Sequence, residues 1–256
     1  MRDNVNNKYC VDLKEKDNII YIILEEEKDR VFVKGMYYRV SKYINKDNIR
    51  YLNEEDVEEY RRKNDDYIKR VKDNIFTLRV KGLLGTVLHI DGDQEYMESC
   101  MLLYKEMGIH AYGVYMEERE MPSKVGAIVK KLLPDVVVIT GHDYYNKEGL
   151  TDLNNYKNTS NFMEACLECK RNKCDCVIVA GACQSNSEAL IVSGANYASS
   201  PKRINVHTYD PAIIAVKIVS TSLERYIDKM VLEKKIENFK DAYMGIETKG
   251  KMKILI

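Results

Sequence analysis

The sequence has no excess of charge of either sign. Forty lysine and arginine residues balance forty aspartate and glutamate residues in a chain of 256, so the formal net charge is zero. A protein that binds nucleic acid through its bulk charge is strongly basic, and nothing of that kind is indicated here. Hydrophobic residues make up 45% of the chain and charged residues 31%, which excludes a disordered protein and indicates a globular one.

Long apolar runs are also absent. The longest runs, such as residues 19–24 (IIYIIL), are far shorter than the roughly 20 residues of a membrane-spanning helix. The first ten residues, MRDNVNNKYC, are polar and lack the apolar core of a signal peptide. We therefore expect a soluble cytoplasmic protein that does not insert into a membrane.

The seven cysteines do not suit a disulfide framework, because their number is odd and a reducing compartment is expected. Four of them form the pattern C-x2-C-x4-C-x-C. Cys166 and Cys169 have the spacing of a zinc pair, but Cys174 and Cys176 are too close together for a zinc ribbon. Core packing explains these four best, so neither metal nor cofactor is expected. A zinc-supported hydrolase is an alternative interpretation, and it requires stoichiometric bound metal.

The pattern of apolar residues divides the chain into four segments. Residues 1–52 hold short β-rich runs, including 36–40, around a charged turn, which indicates a small barrel-like β domain. Residues 53–81 are charge-dense and indicate an exposed helix and linker. Residues 82–227 form an α/β domain, and residues 228–256 form a lysine-rich tail without a clear pattern.

Within the α/β domain, predicted strands alternate with amphipathic helices. The strands are predicted at residues 86–90, 111–116, 135–140, 176–180, 196–199 and 205–208. Strands this apolar are typical of a mostly parallel sheet that helices cover on both faces. Ligands meet such sheets at the carboxyl ends of the strands, which is where candidate functional residues are sought.

A histidine and a cysteine follow two of these strands. His142 and Cys183 are 41 residues apart, about one βαβ crossover, so their strands should be neighbours with both ends at one edge. A thiol attacks a carbonyl only as the thiolate, and an imidazole can take its proton. Cys183 also precedes a predicted helix, whose dipole favours a thiolate. Its own N–H and an amide of the turn from Gly141 to Asp143 would form an oxyanion hole.

These strand ends are similar to those of the caspase, legumain and gingipain cysteine peptidases. In that group one strand ends in His-Gly and the next in Ala-Cys. This sequence has Ala182 before Cys183, but Gly141 precedes His142, and Asp143 stands where that group has glycine. The resemblance implies a three-layer caspase/legumain-like arrangement of helices, sheet and helices.

Four blocks in the same order resemble the YabG family of sporulation-specific proteases. They are VLHIDGDQEY (87–96), VVVITGHD (136–143), VIVAGACQS (177–185) and GANYASSPKRINVH (194–207). With the N-terminal β segment, interpreted as an SH3-like barrel, the resemblance covers most of residues 10–225. It implies a cysteine endopeptidase in the mother-cell compartment that processes spore coat and cortex-associated proteins. It also implies that His142 and Cys183 are the catalytic dyad.

The resemblance to the caspase-like group also predicts substrate contacts. In the caspase-like group, the segment after the strand beside the nucleophile strand lines the specificity pocket, which points to Ser199 and Ser200. An acidic pocket would select a basic P1 residue through paired hydrogen bonds. Asp210 is the first candidate for that acid and Asp93 the second, although Asp210 also fits a helix cap.

Several alternatives remain open from the sequence. The turn from Asp91 to Asp93 is either a helix-capping turn or a Mg²⁺ or phosphate site. The second functional hypothesis is a non-catalytic α/β module that binds a ligand or partner at this turn. His207 is a rival general base, His89 is interpreted as a core residue and His110 as exposed. No P-loop, G-x-S-x-G or dinucleotide motif is present.

Overall fold

The computed structural model describes residues 9–15, 17–74, 82–173 and 175–255. Contacts within the chain divide it into two units, residues 1–70 and 71–256, and each is described by itself. The end of the predicted linker, residues 75–81, lies outside the described residues, and so does Cys174.

The first unit is an antiparallel sheet with the strand order β4-β3-β2-β1-β5. The strands are β1 (Tyr9–Asp12), β2 (Tyr21–Glu26), β3 (Arg30–Gly35), β4 (Ser41–Asn45) and β5 (Ile49–Tyr51). Alternate residues such as Tyr21 and Ile23 on β2 and Val31 and Val33 on β3 form its core. The meander of short strands that the sequence predicts is therefore present in this segment.

One predicted strand of this segment is wrong. Residues 36–40 form the turn between β3 and β4, because the Gly35 N–H donates to the Val40 carbonyl (2.8 Å) and the Val40 N–H donates to the Tyr38 carbonyl (2.7 Å). A side chain on Gly35 would overlap the Tyr38 carbonyl, so glycine is required there. Val40 of this run packs into the core of the unit, and Tyr38 packs against that core.

The charge-dense segment forms helix α1 (Glu54–Asn74), as the sequence predicts. Three acidic residues occupy its first turn, where the helix dipole favours negative charge.

The second unit contains a six-stranded sheet with the order β12-β11-β10-β9-β7-β8, in which β12 is Tyr243–Gly245. The five strands from β11 to β8 are parallel, and β12 is antiparallel to β11. The elements up to β11 are β6 (Gly82–Leu83), β7 (Val87–Asp91), α2 (Gln94–Glu106), β8 (Ala111–Tyr115), α3 (Met121–Leu132), β9 (Val136–Thr140), α4 (Thr159–Asn172), β10 (Val177–Ala180), α5 (Ser187–Val192) and β11 (Tyr197–Ser199). The prediction of a parallel-rich α/β sheet preceded by an antiparallel β segment is confirmed.

Helices cover both faces of this sheet. Leu88, Ile139 and Ile178 point to the face that packs against α3 and α4. Successive residues of a strand alternate between faces, so His89 points the other way, and its ring contacts Tyr104 on α2. Helix α6 (Asp210–Val219) packs against α2, β9 and β10. The buried strands are therefore apolar for the reason that the sequence pattern suggested.

The predicted strand at residues 205–208 is wrong, because this stretch is part of the loop from β11 to α6. The backbone of Val206 contacts the thiol of Cys183 instead of entering a ladder.

The C-terminal segment is part of the second unit. It contains α7 (Lys229–Lys235), α8 (Phe239–Ala242), β12 (Tyr243–Gly245) and β13 (Lys253–Ile254). Strand β12 pairs with β11 and forms one edge of the large sheet, and β13 pairs with β6. Among the described residues, no helix is long and apolar enough to cross a membrane.

Candidate active site at the carboxyl edge of the parallel sheet

The candidate site lies where the strand order of the large sheet changes direction. Strand β8 pairs with one edge of β7 and β9 with the other, so the loops after β7 and β9 leave in opposite directions. Ligand sites of parallel α/β sheets occur at such a point, at the carboxyl ends of the strands. The loops after β7, β9 and β10 carry Asp93, His142 and Cys183.

The sheet register brings His142 and Cys183 to corresponding positions. Ala180 on β10 pairs with Ile139 on β9, an offset of 41 residues that is also the separation of His142 from Cys183. The Thr140 hydroxyl donates to the Gly181 carbonyl (2.9 Å) and continues the contact beyond the last paired residues. Neighbouring strands lie about 4.8 Å apart, so His142 and Cys183 follow the ends of two adjacent strands.

The hydrogen bonds of His142 define the state of its imidazole. Nε2 lies 3.1 Å from Oδ2 of Asp93, and an ionised carboxylate only accepts hydrogen bonds, so Nε2 carries the proton of the neutral ring. Nδ1 then holds a lone pair, and it is buried with no hydrogen-bond partner among the described residues. The ring is therefore prepared to accept a proton at Nδ1.

Asp93 also forms the N-cap of α2. Its Oδ1 accepts hydrogen bonds from the backbone N–H groups of Glu95 (3.1 Å) and Tyr96 (3.2 Å), while Oδ2 contacts His142. The Tyr96 ring lies 5.9 Å from the His142 ring, centroid to centroid. One carboxylate thus fixes both the start of the helix and the orientation of the imidazole.

Glu118 is a functional candidate that the sequence reasoning missed. Its Oε1 accepts the backbone N–H of His142 (2.7 Å). A side chain on either Gly92 or Gly141 would overlap this carboxylate, so both glycines leave the space that it occupies. Glu118 follows β8, and the strand-end rule would have found it if the residues after β8 had been considered with the others.

The loop that carries Cys183 is held by three serine hydroxyl groups. The Ser185 hydroxyl accepts the Ala182 N–H (3.0 Å), and the Ser199 hydroxyl donates to the Ala182 carbonyl (2.9 Å). The Ser200 hydroxyl accepts the Gln184 N–H (2.9 Å). Ser199 and Ser200, predicted as substrate contacts, thus bond with their hydroxyl groups to the loop on both sides of the cysteine.

The thiol of Cys183 contacts the backbone of Val206. Its sulfur accepts the Val206 N–H (3.2 Å) and lies 3.7 Å from the Val206 carbonyl oxygen, to which the S–H can donate. The N–H stabilises the thiolate when the proton has left. Helix α5 begins only at Ser187, so the helix dipole contributes less to the thiolate than the sequence suggested, because that effect decays within the first turn.

Asp143 connects the histidine loop to the cysteine loop. Its Oδ1 accepts the N–H groups of Tyr144 (2.9 Å) and Asn158 (2.7 Å), and its Oδ2 accepts the hydroxyl groups of Thr159 (2.5 Å) and Ser185 (2.9 Å). Burial raises the pKa of this carboxyl above its ordinary value, and the four hydrogen bonds offset that effect only in part.

We expect Asp143→Ala to lower the free energy of unfolding by about 3 kcal/mol, because it leaves buried donors without an acceptor. The folded wild type binds the Asp143 proton more tightly than the unfolded chain, since the pKa is raised from 3.8. Wild-type stability relative to the variant should therefore fall as the pH rises from 3.8 through the raised pKa. Urea denaturation of both proteins across that range measures this difference, and parallel pH profiles would contradict the expectation.

The rival base His207 is in a different state. Its Nδ1 accepts the backbone N–H of Tyr209 (3.3 Å), so the neutral ring carries its proton on Nε2 and has no free lone pair for another. Asp210 is the first residue of α6, with Tyr209 as the N-cap, and its Oδ2 accepts the His207 N–H (3.2 Å). Asp210 is buried on the same segment as Val206, whose backbone contacts the thiol.

The other cysteines of the described residues are buried, as Cys183 is, so exposure does not distinguish it. Burial raises the pKa of Cys10 to about 11 and that of Cys166 to about 12, and it also raises those of Cys169 and Cys176. A thiol with a raised pKa is a poor nucleophile at neutral pH. Cys166, Cys169 and Cys176 lie in the apolar core beside the sheet.

The carboxylate oxygens of the turn from Asp91 to Asp93 are engaged by protein groups. Oδ1 of Asp91 accepts the Asp93 N–H (3.0 Å), and Oδ2 lies 3.5 Å from Nε2 of the buried His89. His110 is exposed and lies beside Tyr112. In the described part of the chain, no group of three or more histidine, cysteine, aspartate or glutamate residues is arranged to hold a metal ion.

Comparison with known proteins gives two matches that agree with each other. The family model described as YabG peptidase U57 matches residues 7–256. The curated sporulation-specific protease YabG of Bacillus subtilis (strain 168) is 40% identical over 176 residues, an alignment that covers 66% of this chain and 60% of that protein. The match thus spans about three fifths of the relative's length. No solved structure matches the chain.

Proposed function

Because the chain belongs to the YabG peptidase family, we propose that it is a cysteine endopeptidase of sporulation in which Cys183 is the nucleophile and His142 the general base. The observation that carries the proposal is the pairing of these residues at corresponding positions after adjacent parallel strands. It is supported by the proton-free Nδ1 of His142 and by the N–H bond to the sulfur of Cys183.

The proposed reaction is an acyl transfer in two steps. The Cys183 thiol gives its proton to Nδ1 of His142, and the sulfur attacks the carbonyl carbon of the scissile peptide bond. His142 then returns the proton to the leaving amine as the C–N bond breaks, and water hydrolyses the resulting thioester. The oxyanion would be bound by the Cys183 N–H and an amide of Gly141 or Asp143, since the His142 N–H already binds Glu118.

The proposed substrates are spore coat and cortex-associated proteins, processed in the mother-cell compartment. The relative's name, a sporulation-specific protease, supports a role in sporulation but states no substrate.

A basic P1 residue is proposed because Asp210 follows closely on the segment whose backbone contacts Cys183. Of the two acids first considered, Asp210 is preferred for this role, because Asp93 engages His142.

The finer fold description is also part of the proposal. Helices on both faces of a parallel-rich sheet support a caspase/legumain-like three-layer arrangement for the second unit. The five-stranded antiparallel sheet of the first unit supports an SH3-like barrel. The proposal divides the chain as the sequence does, with the peptidase domain at residues 82–227.

Labelling with a peptide chloromethyl ketone tests the chemistry. A thiolate displaces chloride from this reagent and forms a stable thioether, so a reactive nucleophile is marked permanently. We expect a reagent with arginine at P1 to label one site, found by mass spectrometry at Cys183, at least tenfold faster than a reagent with aspartate at P1. Cys10, Cys166, Cys169 and Cys176 should react slowly because burial raises their pKa values.

The matched control is the same reaction after denaturation in urea, in which every thiol becomes accessible. Labelling of the folded protein that is equally slow at all cysteines would contradict the proposed nucleophile and would favour a non-catalytic binding module. Preferential labelling by the aspartate reagent would contradict only the basic P1 preference.

A further inference from the structure

We propose that Asp93 is a positioning residue of the active site, which holds His142 in the tautomer whose Nδ1 accepts the Cys183 proton. The inference rests on the proposed peptidase function and adds a third member to its Cys–His pair. It assigns to Asp93 a role different from the substrate contact suggested by the sequence.

The geometry of the two oxygens separates two roles of Asp93. Oδ1 accepts the N–H groups of Glu95 and Tyr96, which caps α2, whereas Oδ2 lies 3.1 Å from Nε2 of His142. The side chains are shielded, with 11% of Asp93 and 23% of His142 exposed, so water screens their interaction little. The cap also fixes the carboxylate, because the helix start prevents its rotation.

The other carboxylates next to His142 are engaged elsewhere. Oε1 of Glu118, from the segment after β8, accepts the backbone N–H of His142 and not its ring. Both oxygens of Asp143, the next residue along the chain, accept hydrogen bonds from its own loop, from the start of α4 and from Ser185. Asp93 is therefore the carboxylate that contacts the imidazole itself.

Asparagine and serine at position 93 distinguish positioning from structure. Both are good N-cap residues, so Asp93→Asn and Asp93→Ser should keep α2 capped and the fold intact. The asparagine amide would turn an N–H towards Nε2 of His142, which favours the opposite tautomer with its proton on Nδ1. The serine hydroxyl is too short to reach the ring while it caps the helix.

We expect Asp93→Asn to lower kcat for peptide cleavage by about 10³-fold or more with little change in KM, because the same change in serine proteases acts through the wrong tautomer. Asp93→Ser should lower kcat less, since the ring is then free but not misdirected. Asp228→Asn is the matched control, because Asp228 also caps a helix, through the Met230 N–H, and should leave kcat unchanged.

The spectroscopic readout is the ¹⁵N spectrum of histidine-labelled protein. In the wild type, the His142 signals should show a protonated Nε2 and an unprotonated Nδ1, and in Asp93→Asn the two should exchange. Full kcat in both position-93 variants, or a wild-type spectrum with the proton on Nδ1, would overturn the inference. Cleavage that does not depend on Cys183 would instead overturn the proposed function, and the spectrum would still test the Asp93–His142 contact.

Discussion

Replacement of Cys183 by alanine is expected to abolish peptide cleavage while the fold is retained. The thiol is the group that would form the covalent bond to the substrate carbonyl, and the Ser185 hydroxyl on the same loop is engaged by the Ala182 N–H and Asp143. Removal of a catalytic nucleophile typically lowers kcat by about 10⁴-fold or more. Mass spectrometry of products from a mixture of spore coat proteins, with wild type and Cys183→Ala in parallel, measures the loss and identifies the cleavage sites.

Cys166→Ala is the matched control for this experiment. Cys166 is a buried cysteine on α4 in the apolar core. Its replacement should reduce the free energy of unfolding by about 1 kcal/mol and leave kcat within twofold of wild type. Cleavage at unchanged sites and rates by Cys183→Ala would refute the assignment of the nucleophile.

The second large effect is expected for His142→Gln. Glutamine keeps polar atoms near the ring position but cannot accept and return a proton, so we expect kcat to fall by about 10²- to 10⁴-fold. The thiol should also lose its reactivity towards chloromethyl ketones at neutral pH, because nothing then takes its proton. Initial rates of peptide cleavage and of labelling, measured side by side, check both effects.

The control for this variant is His207→Gln. His207 follows Val206, whose N–H donates to the Cys183 sulfur. Nδ1 of His207, however, already accepts the Tyr209 N–H. We expect a change of less than fivefold in kcat. If His207→Gln abolished cleavage while His142→Gln retained it, His207 would be the general base.

Several features of the site could be predicted because they depend on local order in the chain. The apolar runs before His142 and Cys183 indicate buried strands, and the rule for βαβ crossovers makes such strands neighbours. The separation of 41 residues then matches the register between β9 and β10. Helix α1 was predicted from charge density alone. Each of these inferences uses only spacing and residue type.

The two wrong strand predictions fall where an apolar residue is buried by packing against other parts of the unit and not by strand pairing. Residues 36–40 form a turn in which Val40 packs into the core of the first unit, and in residues 205–208 the backbone of the buried Val206 contacts the Cys183 sulfur. Glu118 was missed because the residues after β8 were not considered with the other strand ends, and the space that it fills is left by Gly92 and Gly141, which are distant from it in sequence. A hydrogen bond from a backbone N–H to a distant side chain produces no periodic pattern of residue types in the sequence.

The sequence by itself determined the alternation of strands and helices, the charge balance and the presence of a histidine and a cysteine at the ends of two apolar strands. Hydrophobic period and crossover handedness are local or topological properties, so a single chain is enough to read them. Only the tertiary structure decided that Asp93 reaches Nε2 of His142, that Asp143 ties the two loops together and that Val206 donates to the sulfur. These contacts join residues that are 23 to 49 positions apart, and the direction of a hydrogen bond over such distances is set by packing, which residue types do not encode individually.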